Sequence, residues 1–307
     1  MINQVTGWMR GDSGVSVIFG AFLLLAILTV FISAFLIYWI PAQQLGKEST
    51  ENETLFLSVL RFSEKLDDLN VPSSSFSSSF KSQTFPSNVT VLVNENDGRF
   101  LFSAPVTLLP ESEKVIRTGF SLDDDIFSDL PDDREWFILG SGSALFYNKY
   151  EQLPDQIYFI GPSSLLLSQE DGASFIQEPS VFITRGSSNQ IFMSLSGFIV
   201  QTNNAPVFEK NPTLRYRLIK TVQIHDFVPD VSIRYVSPET PAFQLSSDFY
   251  SHRDEAYDTW FLNTREMIQS DYPEIDVYFD SDSMSLCLIS SVPIEIDVQI
   301  IVIAFEY

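Results

Sequence analysis

The 307-residue chain carries 40 acidic and 18 basic residues, a formal net charge of -22, which argues against nucleic acid or an anionic lipid surface as a partner of its folded part. The same acidity would equally serve solvation in a salty medium, and then it needs no partner. The single cysteine excludes an intrachain disulfide and a cysteine-type metal site, so the fold must depend on core packing.

Residues 15–40 form an uncharged, strongly apolar segment that predicts a membrane-spanning helix. At ~1.5 Å per residue such a helix is longer than a hydrocarbon core of about 30 Å. Arg10 precedes the segment and Tyr38 and Trp39 end it, which indicates a cytoplasmic N-terminus, an outer interface at the aromatic pair and an extracellular remainder. The side chains expected to face lipid or neighbouring helices include Val15, Ile18, Phe22 and Leu25.

The start of this segment, Met9-Arg10-Gly11 followed by Asp12-Ser-Gly-Val-Ser16, resembles the class III signal peptide of archaeal type IV pilins and archaellins. The resemblance implies that a prepilin peptidase cuts between Gly11 and Asp12. Residues 1–11 are then a leader, and residues 12–40 are the membrane or filament-core helix. Bacterial pilins carry a glutamate at the fifth mature position, where this chain has Ser16. A plain signal anchor with a coincidental Arg-Gly pair is the alternative.

A second resemblance covers residues 140–175, which are similar to a block in large pilin-like proteins of archaea, a family of unknown function. In that block an Asn, a Pro-Asp-Gln-aromatic motif, an aliphatic strand and a Gln-x-x-Gly motif follow one another. The chain departs from the family at Pro162-Ser163, where the family has Gly-Gly. The matching positions are Asn148, Pro154, Asp155, Gln156, Tyr158, Gln169 and Gly172.

Residues 41–70 predict a stalk helix after Pro41, which is expected to kink or end the membrane helix. Thr50 and Glu53 have the spacing of a capping box, and an apolar stripe follows them. We expect the stripe to pack on the outer domain, with a coiled coil between neighbouring chains as the alternative. Its members are Leu55, Val59, Phe62, Leu66 and Leu69. The serine-rich residues 71–87 predict a flexible linker or surface loop.

From residue 88 onwards the apolar period changes to two, which predicts an extracellular β-rich domain over residues 88–307. Alternating valines and phenylalanines flank Asn96-Asp97-Gly98, a pattern that predicts a β-hairpin. Further strands are predicted at residues 136–140, 144–147, 157–160, 164–167, 181–184, 191–201, 214–218, 231–235 and 293–307.

One outer segment, residues 253–269, has helical spacing. The expected fold is therefore α+β and mostly β: a long N-terminal hydrophobic helix followed by an antiparallel β-sandwich-like domain with one packed helix. A sub-lobe from about residue 203 is an alternative division of the outer domain.

Neither histidine indicates a catalytic or metal site. His225 and His252 are far apart in the sequence, and neither has a second strong ligand at metal spacing or a neighbouring activated nucleophile. The sequence therefore predicts no enzymatic activity and no cofactor. An exported hydrolase stays open as a third hypothesis behind a filament subunit and a binding module.

Asn52 and Asn88 begin sequons that predict N-glycosylation in an exported domain. Two acidic loops offer oxygen ligands for structural calcium, but neither has the spacing of a twelve-residue calcium loop. Plain solvated loops are the alternative reading. The carboxylates concerned are Asp123, Asp124, Asp125, Asp280 and Asp282.

The resemblance implies a structural subunit of an archaeal type IV pilus-like cell-surface filament. The size of the chain favours a minor, tip or membrane-retained pilin. Its expected partners are membrane lipid, other pilin-like subunits and prepilin peptidase, with no nucleic acid. The alternative is a single-pass membrane-anchored surface module for binding or adhesion that does not polymerise.

Overall fold

The computed structural model describes residues 12–70, 80–86, 88–105, 136–162, 164–186, 190–202, 207–208, 212–238 and 247–306. The chain divides into two compact units, Met1–Asn52 with Tyr150–Leu153, and Glu53–Lys149 with Pro154–Tyr307. The helical elements are α1 (Asp12–Ala34), a π-helical turn (Phe35–Trp39), α2 (Ile40–Asp67), a 3-10 turn (Asp68–Asn70) and α3 (Ser247–Asp271).

The second unit contains a sheet of twelve strands. The strands are β1 (Lys81–Thr84), β2 (Thr90–Ser103), β3 (Phe137–Asn148), β4 (Gln156–Gly161), β5 (Ser164–Gln169), β6 (Gly172–Gln177), β7 (Val181–Arg185), β8 (Ile191–Gln201), β9 (Val207–Phe208), β10 (Thr213–Val236), β11 (Ile275–Asp280) and β12 (Ser285–Glu306). An apolar N-terminal helix with a mostly β domain confirms the coarse α+β prediction.

Strand order differs from the predicted antiparallel sandwich. The order is β6-β5-β4-β3-β2-β10-β12-β8-β7, with β1 on β10, β9 on β2 and β11 on β12. β3 also pairs with β8, so that β3, β2, β10, β12 and β8 close into a barrel-like ring. β8 runs parallel to both β12 and β3. Strands on both sides of residue 203 belong to this one sheet.

Glycine permits the close approach at which the ring closes. Ser141 of β3 pairs with Ile199 of β8, and the next residue, Gly142, has a φ of +77°. A Cβ atom on Gly142 would lie 2.7 Å from the carbonyl oxygen of Asn94 and 2.7 Å from Cβ of Val200. A side chain there would therefore clash with two neighbouring strands.

The predicted hairpin at Asn96-Asp97-Gly98 is wrong, because β2 is one continuous strand. Its pairing with β3 shifts register between Asn94 and Arg99, and Gly98 has a φ of +84°. These residues form a bulge, which inserts extra residues into one strand while its partner continues. The bulge also places Asp97 in the interior, where its side chain is fully buried.

Bulges likewise join segments that the sequence predicts as separate strands. Residues 214–218 and 231–235 are the two ends of β10, whose pairing with β12 shifts between Leu218 and Lys220 and between Val228 and Asp230. Pro229 occupies the second shift, where its missing amide hydrogen costs no ladder hydrogen bond.

Two helices supply much of the domain core. Leu55, Val59, Phe62 and Leu66 of α2 are buried in a cluster with strand residues, which confirms the predicted stripe. On α3, Tyr257, Trp260, Phe261 and Ile268 enter a second cluster. Part of the segment predicted as a flexible linker is ordered into this domain, because β1 pairs with β10 and Phe85 is buried.

Candidate functional site: the apolar helix and its junction

The apolar segment is helical and exposed on all sides in the chain as described. Ile18, Phe22 and Leu25 have 58%, 67% and 63% of their surface exposed, and the other large apolar side chains up to Ile40 are exposed as well. By length and composition, the helix within Ile18–Asp67 is long and apolar enough to cross a membrane. Val15 lies in α1 by its backbone.

Pro41 neither ends nor interrupts the helical path, contrary to the prediction. The π-helical turn Phe35–Trp39 stands immediately before α2, and Pro41 is the second residue of α2. Proline lacks an amide hydrogen, and its ring crowds the carbonyl of the residue four positions earlier, here Ile37. A wider π-turn at that point relieves the crowding, so the helical path continues.

Aromatic residues mark the end of the apolar segment. The rings of Phe35 and Trp39 stack with centroids 5.8 Å apart. Tyr38 and Trp39 are 76% and 56% exposed. Amphipathic aromatic rings at the end of an apolar helix are typical of a membrane–water interface.

A short loop is fastened to α2 within the first unit. The Glu48 carboxylate accepts hydrogen bonds from the backbone amides of Glu151, Gln152 and Leu153 at 3.0, 2.9 and 3.0 Å. Gln44 Nε2 donates to the Glu151 carboxylate at 3.2 Å. Desolvation opposes ionisation of Glu48, but the hydrogen bonds from the three amides and the charge of Lys47 together outweigh it and lower the pKa of this carboxyl.

The processing site falls mostly outside the described residues. Arg10 and Gly11 lie outside them, and Asp12 is the first residue of α1.

The two sequons occupy different local structures. Asn88 is exposed in a turn before β2, as a glycan acceptor requires. Asn52 lies inside α2, is half-buried, and its Oδ1 accepts a hydrogen bond from the Tyr150 hydroxyl at 3.4 Å. Of the two predicted sites, Asn88 has the more accessible geometry.

The acidic loop at Asp280 is organised by its own residues. The Asp280 carboxylate accepts hydrogen bonds from the Ser283 hydroxyl at 2.8 Å and from the Asp282 amide at 3.1 Å, and the Ser283 bond is the main cause of its lowered pKa. Asp123, Asp124 and Asp125 lie outside the described residues. In the part of the chain that the structure describes, no group of three His, Cys, Asp or Glu side chains could hold a metal ion.

A buried ion pair is the feature that sequence reasoning missed. Arg253 and Asp97 have side chains with 0% exposure and lie 3.1 Å apart, from Nη1 to Oδ1. Asp97 also accepts from the Ser143 hydroxyl at 2.6 Å, and Arg253 donates to Ser237 at 2.7 Å and to Asp254 at 3.2 Å.

Aromatic rings surround the Arg253 guanidinium. Its central carbon lies 4.8 Å from the ring centroid of Tyr250, 5.5 Å from Phe159 and 5.8 Å from Tyr235. Burial raises the pKa of Asp97, an effect that the adjacent guanidinium opposes. The pair therefore joins α3 to the bulge of β2.

Two sequence signals could have revealed this pair. Val91 and Val93 precede the bulge at odd positions, whereas Phe100 and Phe102 follow it at even positions, and this change of parity indicates an inserted residue. Arg253 lies three and seven residues before Ala256 and Trp260, so that a cation stands on the apolar face of α3 and requires a buried partner.

The two histidines lie in different parts of the structure. His225 Nε2 is 3.5 Å from the Glu295 carboxylate on exposed strand surface. His252, on α3, lines two clefts that follow one another along that helix.

Comparisons with known proteins add no relative. The chain matches no protein-family model, and neither a curated protein nor a solved structure is significantly similar to it.

Proposed function

We propose that this protein is a structural subunit of an archaeal type IV pilus-like filament on the cell surface, a large pilin of the minor or membrane-retained kind. The observation that carries the proposal is a helix apolar on every exposed side from Ile18 to Ile40, preceded by Arg10-Gly11-Asp12. An exposed apolar surface of this extent needs lipid or other apolar helices around it.

The helix suits both environments that a pilin meets. In the membrane its side chains contact lipid, and in a filament they contact the same helix of neighbouring subunits. Thr29 places no unsatisfied hydroxyl in either environment, because its Oγ1 donates to the Leu25 carbonyl at 2.8 Å. Cleavage after Gly11 would remove the leader and leave the whole apolar helix on the mature chain.

The direction of insertion rests on the resemblance to pilins. Arg10 precedes the helix and Lys47 follows it on α2, so the basic residues beside the span balance one another. A pilin-like N-terminus is cytoplasmic, and the folded domain then lies outside the cell.

The test is the N-terminal residue of the native protein in membrane and sheared-fibre fractions, read by mass spectrometry. We expect Asp12 as first residue, and the leader retained when Gly11 is replaced by Val. A Gly7→Val variant is the matched control and should be cut normally. Intact Met1 in a monomer that never enters the fibre fraction would refute the proposal.

A single-pass surface module for binding is the second candidate function. The clefts that flank α3 favour it, because they bring polar and aromatic side chains of the outer domain together. The two candidates separate on one property: a binding module stays in the membrane fraction, whereas a pilin subunit also sediments with fibres.

A further inference from the structure

The first cleft beside α3 has an apolar floor made by the sheet. Tyr147, Ile157 and Ser168 are paired neighbours on β3, β4 and β5. The next row, two residues further along each strand, is covered by Phe249, Tyr250 and Ala256 of α3. The row with Tyr147 lines the cleft, together with Asp248, Phe249 and His252 of α3.

Polar side chains stand around this floor. The cleft has a volume of about 450 Å³. Asp248 and His252 line it from the first turns of α3, and Gln169 and Glu170 line it from the end of β5 and the following turn. Lys149 and Asp155, from the ends of the β3–β4 connection, complete the lining.

The mixture of donors and acceptors defines the ligand class. Lys149 donates, three carboxylates accept, and Ser168 and Gln169 do both. The carboxylates are those of Asp155, Glu170 and Asp248. An anion would require mainly donors, and among the described residues no group of three His, Cys, Asp or Glu side chains could hold a metal ion. A polyol presents hydroxyl groups that donate and accept in turn, and its C–H faces can lie on an aromatic ring.

The second cleft offers a comparison within the same domain. It has a volume of about 380 Å³ and lies beside Gly172 to Phe175. Asp171, Glu178 and Glu255 line it, and none of its described lining residues is Lys or Arg. Both clefts therefore carry three carboxylates, and the first differs from the second by the cation Lys149 and by its ring from Tyr147.

We propose that the cleft between Tyr147 and His252 binds a neutral polyhydroxylated ligand, a sugar unit of a surface glycan. The Tyr147 ring and Ile157 receive the apolar face of the sugar, while Gln169, Glu170 and Lys149 contact its hydroxyl groups. This deepens the second candidate function, and it stands whether or not the chain polymerises.

The experiment uses the full chain in a detergent without a sugar head group. Glucose, galactose, mannose, N-acetylglucosamine and their disaccharides are titrated by saturation-transfer NMR, with spermidine as cation probe and inorganic phosphate as anion probe. We expect a sugar to bind with a Kd of about 1 mM, without competition from spermidine or phosphate. Tighter binding of a polymeric glycan than of the free sugar would identify a glycan, rather than a free sugar, as the ligand.

Two adjacent turn residues provide matched variants. Glu170 lines the first cleft and Asp171 the second, and both are exposed. Glu170→Gln should weaken sugar binding about tenfold, while Asp171→Asn leaves it unchanged. Tyr147→Leu, checked for folding by circular dichroism, should abolish the ring contact and the binding. The proposal is overturned if no sugar binds at 50-fold the expected Kd, if both turn variants act equally, or if spermidine competes.

Discussion

Helices α1 and α2 follow one another in the chain but differ in the exposure of their apolar side chains. The described apolar side chains of α1 are exposed on every side, whereas Leu55, Val59 and Phe62 of α2 are fully buried against strands of the same chain. The stripe of α2 lies on one face of the helix and its partners are intramolecular. The apolar surface of α1 has no such partner among the described residues, and under the proposed function lipid or the α1 helices of neighbouring subunits take that place.

The largest effect should follow from truncating the α2 stripe. Phe62 lies 5.3 to 5.9 Å, centroid to centroid, from Phe85, Phe146 and Tyr216. Phe62→Ala should lower the free energy of unfolding of the outer domain by about 3–5 kcal/mol through lost contacts and a cavity. Phe22→Ala on α1 is the control for chemical denaturation in micelles, and an equal loss there would contradict the comparison.

Removing the buried cation tests whether the domain depends on the ion pair between Arg253 and Asp97. Arg253→Met leaves Asp97 buried without its counter-charge and should cost about 3–5 kcal/mol. Adding Asp97→Leu should recover most of that loss, because the pair is then replaced by apolar packing. Thermal unfolding of both variants provides the measurement. A double variant as unstable as the single one would show that the hydrogen bonds to Ser143 and Ser237, rather than the charge, dominate.

A charge placed in α1 should weaken membrane insertion of the helix and leave the fold of the β domain intact. Leu25→Lys should disfavour insertion by about 2.5–3.5 kcal/mol at the centre of the span. Carbonate extraction would then release the variant from membranes, while circular dichroism of the outer domain stays unchanged. Lys substituted at exposed Leu57 on α2 is the control, and it should remain membrane-bound. Extraction of both to the same extent would break the comparison.

The smallest effect concerns the loop held by Glu48. Its carboxyl has a lowered pKa in the folded protein, so its contribution is present above the ordinary glutamate pKa and is lost as pH falls through the lowered value. The amides of Glu151, Gln152 and Leu153 should lose hydrogen-exchange protection over that range. Glu48→Ala should lose it at every pH, whereas Glu51→Ala should not. Protection that is independent of pH would disprove the role of the carboxylate.

Local patterns in the sequence predicted the elements whose environment is uniform. The apolar run of α1 and the stripe of α2 are read directly from composition and period. The strands β4, β5 and β8 are read from apolar segments that turn residues separate. β10 was divided because its bulges reset the alternation at Leu218 and Val228. β6 and β11 are short edge strands, and they were not predicted.

Long-range pairing explains what the sequence could not indicate. The contact of Ser141 with Ile199 that closes the ring, and the parallel placement of β8, depend on partners distant along the chain. The cleft at Tyr147 depends on the register of three paired strands and on the placement of one helix beside them. The Asp97–Arg253 pair was hidden because Asn-Asp-Gly is a stronger hairpin signal than bulge signal.

Photo-cross-linking from α1 is the most direct test that its partner lies outside the chain. A photoreactive residue in place of Phe22 is activated in native membranes and in sheared fibres, and the products are identified by mass spectrometry. We expect adducts with lipid in membranes and with the α1 segment of another subunit in fibres. Adducts that join position 22 to the outer domain of the same chain in both fractions would contradict the claim.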